Sequence, residues 1–203
     1  MTWYNATDFA RTGTATTADV GISPLATLAC GEVGEVGATT TYVFAAAASG
    51  NTVAVLGSDD GFTTPTITTT DSVVLTGISA PILAMAVADF FGDGDTTRAL
   101  VVLTEDAISL FLLNSSDLIA DLASREARVI PHGGGALSPV APASLIIGYF
   151  SVADSGMLPR QVAYSVQEAK ALEKNIRIVQ VNAEFLQVER CRLTTIKNRV
   201  ESA

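Results

Sequence analysis

The feature that most constrains the fold of this 203-residue chain is a sequence unit that occurs three times. Each unit begins with a proline and an apolar run, and the three prolines, Pro24, Pro81 and Pro142, lie 57 and 61 positions apart. A loop containing both glycine and acidic residues follows each run, and two short β-rich segments come next. Internal repetition of this kind indicates a fold built from similar supersecondary units that bury their apolar sides against one another.

The sequence of each unit predicts four short strands. In the first unit, residues 41–44 and 52–56 follow the opening apolar run, and residues 67–75 provide a fourth segment. Short runs rich in β-branched and aromatic residues, separated by turn residues, are typical of adjacent antiparallel strands. Four such strands per repeat are typical of a blade of a β-propeller. The opening runs are apolar at successive positions, which predicts innermost strands that are covered on both faces.

We therefore predict an all-β chain made of propeller-type blades of four antiparallel strands. Residues 1–203 are expected to form a single propeller-like domain or part of one, with blades at about 24–76, 81–131 and 142–197. Residues 1–20 would be the tail of a preceding blade.

Two segments depart from the β pattern. Residues 116–126 begin with Ser116 and Asp117, which are N-capping residue types, and then space their apolar side chains at helical intervals. The second segment is residues 167–174. We predict a short helical insertion at each of these segments.

The loop of the second unit resembles a known family. Residues 87–95 read Val-Ala-Asp-Phe-Phe-Gly-Asp-Gly-Asp. This is similar to the FG-GAP, or VCBS, repeat of integrin α-subunit propellers, in which an Asp-Phe-Asn-Gly-Asp-Gly loop follows the inner strand. Residues 81–113 match the repeat well, whereas the first and third units match it mainly in strand layout. The resemblance implies a β-propeller that presents a binding surface.

The resemblance also implies a calcium site, because this loop often binds Ca²⁺ in the family. Ca²⁺ prefers several oxygen ligands, which acidic side chains on a glycine-containing turn can supply. By motif position Asp89 and Asp93 match family ligands, and Asp95 could add its carboxylate or carbonyl oxygen. Phe91 and Thr97 stand where the family usually has further ligands, so the alternative is a turn in which the Asp side chains bond to backbone amides. No other cofactor is expected.

The chain lacks the residues of a conventional hydrolase. Its only histidine is His132, which precedes three glycines and is predicted to lie in a loop, and no serine has the flanking glycines of a nucleophile elbow. The acidic pair Glu105 and Asp106 is predicted to be a solvated hairpin tip rather than an acid–base pair. Cys30 and Cys191 are predicted to be buried free thiols, since they form no metal or redox motif.

Charge and hydropathy limit the partners. The net charge is −9, and residues 1–97 account for it with ten acids and one base, whereas residues 98–203 carry eleven of each. Phosphate binding requires clustered Lys and Arg, so no nucleic-acid partner is expected. The longest apolar runs fall well short of the roughly 20 residues of a membrane helix, so no membrane span is expected. The sequence does not indicate the cellular compartment of the protein.

Three blades and a fragment are too few for a closed ring, since propellers have about four to eight blades. We therefore expect a protein partner, further blades or self-association to cover the open blade faces. The predicted function is a non-enzymatic protein-interaction scaffold that belongs to a larger assembly. The alternative is a calcium-assisted extracellular module that binds a ligand or carbohydrate, and an enzyme ranks third.

Overall fold

The computed structural model of the chain describes residues 2–4, 11–14, 22, 24–35, 38–58, 69–78, 81–88, 98–113, 118–124, 127–132, 137–139, 145–148, 161–168, 174–181 and 191–196. Within these ranges the chain is mostly β-strand, with three larger antiparallel sheets, one two-stranded sheet and one short helix. The predicted β class and antiparallel pairing are therefore confirmed. The described strands form separate sheets and no closed barrel.

The first of the larger sheets follows a two-stranded pair near the N-terminus, in which β1 (Thr2–Tyr4) pairs with β2 (Arg11–Thr14). The first sheet is a meander in which each strand pairs with the next one along the chain. Its strands are β3 (Leu25–Glu35), β4 (Ala38–Ala47), β5 (Thr52–Ser58) and β6 (Thr69–Val74).

The second sheet repeats this meander. Its strands are β7 (Ala84–Ala88), β8 (Arg98–Leu103), β9 (Ala107–Leu113) and β10 (Arg128–Pro131).

The third sheet has the same four-strand meander with one additional short strand. The strands are β11 (Leu137–Pro139), β12 (Leu145–Gly148), β13 (Gln161–Glu168), β14 (Lys174–Val181) and β15 (Cys191–Ile196). Both β11 and β12 pair with β13, at opposite ends of that strand, and the meander continues through β14 to β15.

Turn chemistry accounts for the β4–β5 hairpin. Gly50 has φ +81°, a left-handed conformation that glycine adopts without a Cβ clash. The Asn51 side chain that follows donates to the carbonyl oxygens of Leu75 (3.1 Å) and Ile78 (3.0 Å). This one amide therefore fixes the start of β5 to the chain that leaves β6.

One predicted helix is confirmed, and the ends of the other segment are strand. The confirmed helix is α1 (Leu118–Ser124), and its Leu118 and Leu122 lie one turn apart and pack into the core beside β6 and β9. At the second segment, Gln167 and Lys174 are partners across the β13–β14 hairpin, so its ends are extended strands. Residues 169–173 lie outside the described ranges. Pairing with a neighbouring strand overrides a weak local preference.

The second sheet packs against a neighbouring sheet on each of its two faces. One core joins it to the first sheet and α1, with Phe44 and Val55 on one side and Leu100 and Phe111 on the other. A second core joins it to the third sheet, where Leu110 packs with the cluster that contains Val162. The three sheets thus stack in chain order, and the first and third sheets each have one face directed away from the second.

The first strands of the three four-strand meanders lie beside one another. β3 contacts β7, and β7 contacts β12. At the first of these contacts the backbone of Gly31 lies so close to Val87 that a Cβ on Gly31 would be 2.5 Å from Val87 Cγ1. A bare glycine at this position is therefore what allows β3 to approach β7.

The prediction that the opening strands are covered on both faces is wrong for β3 and β12. Leu28 is 42% exposed on β3 and Ile146 is 59% exposed on β12. The physical reason is position: both side chains are on the faces that point away from the second sheet. The most completely buried strands are β5 and β9, in the interior of their meanders.

Candidate functional site

The three residues predicted to bind calcium follow directly on β7. Asp89, Asp93 and Asp95 belong to residues 89–97, which lie outside the described ranges. The described flanks are the paired strands β7 and β8, with Ala88 opposite Ala99. The structure therefore describes the hairpin that carries the loop and leaves the ligand set itself a prediction. Among the described residues, no group of three or more His, Cys, Asp or Glu side chains could hold a metal ion.

A buried polar cluster links the second and third sheets. His132 follows immediately after β10 and is only 3% exposed, and its imidazole packs against the ring of Tyr164 on β13 with a centroid distance of 5.2 Å. Nδ1 of His132 lies 2.8 Å from the Tyr164 hydroxyl oxygen. Nε2 lies 3.0 Å from the carbonyl oxygen of Thr104. Sequence reasoning correctly placed His132 outside the strands and missed its burial and partners.

These distances determine the tautomer of His132. A carbonyl oxygen can only accept a hydrogen bond, so Nε2 is protonated and donates to the carbonyl oxygen of Thr104. In the neutral ring Nδ1 is then an acceptor, and the Tyr164 hydroxyl donates to it. Both ring nitrogens are thus engaged by the protein. A general base needs a nitrogen within reach of its substrate, so this arrangement suits a structural link between sheets better than proton transfer.

The β8–β9 turn holds His132 in place. The hydroxyl of Thr104 accepts from the backbone N–H of Ala107 and donates to its carbonyl oxygen, both at 3.2 Å. The backbone N–H of His132 donates to the carbonyl oxygen of Asp106 at 3.1 Å. Glu105 and Asp106 are exposed at the tip of this turn, which confirms the prediction of a hairpin tip.

The second candidate site is the pair of outward faces at the two ends of the sheet stack. The outward face of the first sheet includes Leu28 and Cys30, which alternate along β3 with the inward Ala29. Cys30 is an exposed free thiol, so its predicted burial is wrong, while the side chain of Cys191 lies outside the described part of the chain. The outward face of the third sheet includes Ile146 and Ile176.

These outward faces are not bare throughout. On the first sheet Ile22 packs against Ala45 and Ala54, so the part of the face formed by β4 and β5 is covered. On the third sheet Ala163 and Ile178 are buried. The exposed apolar residues therefore lie along the margins of the two faces.

The two candidate sites differ in whether a sequence pattern could have predicted them. Strand alternation predicts which side chains of β3 share a face, because Leu28 and Cys30 are two positions apart. No local signal connects His132 to Tyr164, which is 32 positions away, because their contact depends on how the second and third sheets pack.

Comparison with known proteins finds no matching family model, no matching curated protein and no matching solved structure. In the part of the chain that the structure describes, no helix has the length and apolar character needed to cross a bilayer.

Proposed function

We propose that this chain is a non-enzymatic protein-interaction scaffold whose three larger sheets are FG-GAP-like propeller blades, and that it is one part of a larger assembly. The observation that carries the proposal is the exposure of apolar side chains on the outward faces of both end sheets. Exposed apolar surface is unfavourable by about 25 cal/mol per Å². A stack that ends in such faces is therefore stabilised by a partner that covers them.

The arrangement of the sheets supports the blade interpretation. Each contains a four-strand meander in chain order, and first strands adjoin in the series β3, β7 and β12. Propeller blades are four-stranded sheets arranged side by side around a channel. The apolar margins at Leu28 and Ile146 lie on the first and last members of this series.

The buried cluster supports a non-enzymatic role. His132 is the only histidine in the chain, and its two ring nitrogens are engaged by Tyr164 and Thr104. Its contribution is to hold adjacent sheets together, which a rigid binding platform requires.

The scaffold proposal is tested by affinity capture with variants of the two faces. The tagged wild-type chain is used as bait in an extract of the source cells that also contains untagged chain, and bound proteins are quantified by mass spectrometry. We expect at least one protein to be retained by the wild type and lost with Leu28→Asp or Ile146→Asp.

The matched control is Val129→Asp, since Val129 is also exposed (49%) but belongs to β10 of the second sheet. Retention of the same proteins by all three variants would contradict the proposal. So would a wild type that retains neither a foreign protein nor its own untagged copy.

A further inference from the structure

The exposed large apolar side chains are not scattered over the described residues. Six are exposed, and five of them lie on the two outward faces. The strand registers place Leu25, Leu28 and Val74 on the outward face of the first sheet. They place Ile146 and Ile176 on the outward face of the third sheet. The exception is Val129, which pairs with Ser109 on the face directed toward the first sheet.

A register shift contributes to this concentration. The pairing of β3 with β4 shifts between Leu25 and Thr27, so that Leu25 lies opposite Ala47 while Leu28 lies opposite Ala45. Without this bulge, side chains three positions apart would point to opposite faces of the sheet. The bulge thus places both leucines of β3 on the outward face, where they form one apolar margin.

The same type of contact joins the sheets that do have neighbours. β3 lies against β7 where the first and second sheets meet, and β7 lies against β12 where the second and third sheets meet. A continuation of this series would place β12 against the first strand of another sheet. The exposed margin of β12 carries Ile146, and the exposed margin of β3 carries Leu25 and Leu28.

On this basis we propose that the outward face of the third sheet binds the outward face of the first sheet of a second copy of this chain. The inference rests on the proposed scaffold function and names its partner. Two copies joined in this way through two equivalent contacts form a closed ring of six sheets, within the range of about four to eight blades that propellers use.

Charge favours this head-to-tail arrangement over other pairings of the same faces. Residues 1–80, which include the first sheet, carry seven acids and one base, a net charge of −6. Residues 137–203, which include the third sheet, carry eight bases and six acids. Two first sheets facing each other would bring two strongly acidic regions together, whereas a first sheet facing a third sheet joins regions of opposite net charge.

Ile22 limits which part of the first sheet takes part. It covers Ala45 and Ala54 in β4 and β5, so the contact is made by the β3 margin. Cys30 lies on that margin as an exposed thiol. Ile146 of a second copy would therefore approach the neighbourhood of Cys30.

The test is the mass of the full chain in solution by light scattering coupled to size-exclusion chromatography. We expect the wild type to have about twice the 21.0 kDa mass of one chain. Leu28→Asp and Ile146→Asp should each yield monomers, and Val129→Asp should remain a dimer. Circular dichroism and thermal unfolding of each variant verify that loss of the dimer is not loss of the fold.

Mixing the two monomeric variants separates head-to-tail pairing from its alternatives. The Leu28→Asp chain keeps an intact third sheet and the Ile146→Asp chain keeps an intact first sheet, so an equimolar mixture regains one intact contact and should form heterodimers. A dimer lost with Ile146→Asp but unchanged by Leu28→Asp would show pairing of two third sheets and overturn the proposal. A mass that grows beyond two chains with concentration would overturn the closed ring.

A disulfide provides a second readout that does not require loss of binding. Ile146→Cys should form an intermolecular disulfide with Cys30 under mild oxidation, identified by peptide mapping, and Val129→Cys should not. A monomeric wild type at high micromolar concentration overturns the second-copy proposal. If that monomer nevertheless retains a different protein through Ile146, the scaffold function stands and only the identity of the partner changes.

Discussion

The hydroxyl oxygen of Tyr164 lies 2.8 Å from Nδ1 of His132, and this contact joins the third sheet to the second inside their shared core. Because Tyr164 is 2% exposed and His132 is 3% exposed, water cannot easily replace either partner. Removing one partner of a buried hydrogen bond leaves a polar group with a desolvation cost.

We expect Tyr164→Phe to lower the free energy of unfolding by about 1–2 kcal/mol, because the ring remains and only the hydroxyl is lost. Urea denaturation monitored by circular dichroism measures the change. In a His132→Leu background the same Tyr164→Phe substitution should cost much less, since the acceptor is already absent. Equal costs in the two backgrounds would show that the hydroxyl stabilises the fold through another contact.

Gly31→Ala should destabilise the protein by about 1–3 kcal/mol, because the new methyl group would overlap Val87 and force β3 away from β7. Thermal unfolding reports the loss. Val87→Ala should relieve part of it, so the double variant should be more stable than the sum of the two single effects predicts. A suitable comparison is Gly50→Ala, where the cost comes from the positive φ and should not respond to Val87→Ala.

Asn51→Ala should cost about 1–3 kcal/mol, because one side-chain amide serves two carbonyl oxygens, those of Leu75 and Ile78. Equilibrium denaturation measures the cost. Ser49→Ala, two residues earlier on the exposed side of the same turn, serves as the control and should be nearly neutral. If both substitutions had equal effects, the bridging role of Asn51 would be wrong.

The calcium hypothesis for Asp89, Asp93 and Asp95 makes a separate prediction. A site in this loop requires that millimolar CaCl₂ raise the melting temperature of the wild type, since binding to the native state alone stabilises it. Asp89→Asn combined with Asp93→Asn should abolish the shift, and MgCl₂ should not reproduce it. A wild type whose melting temperature is unchanged by calcium would rule out the alternative of a calcium-assisted module that binds a ligand or carbohydrate, and would leave the loop as a turn.

Much of the strand layout could be predicted from sequence. Alternation and short β-rich runs locate strands such as β5 and β9, because apolar β-branched residues there are bounded by turn residues. The threefold repeat also indicates how the strands are grouped. Pro24, Pro81 and Pro142 each precede the first strand of a four-strand meander.

What could not be predicted depends on contacts between sheets. The exposure of Cys30 follows from its place on the outward face of the first sheet, and no local pattern reports which sheets have neighbours. The burial of His132 likewise requires the third sheet to be packed in place. At residues 167–174 the sequence did not indicate that both ends of the segment belong to β13 and β14, because that pairing joins residues on either side of a turn.

The packing of the second sheet between two neighbouring sheets has a consequence for how the protein unfolds. Leu100 and Val101 are neighbours on β8, yet each belongs to a different core, so neither core can separate without exposing this strand. Amide protons of β8 and β9 should therefore exchange with solvent only when the whole stack comes apart, while those of β6 and β15 escape through smaller fluctuations at the rim. The second sheet would then be the last part of the protein to unfold.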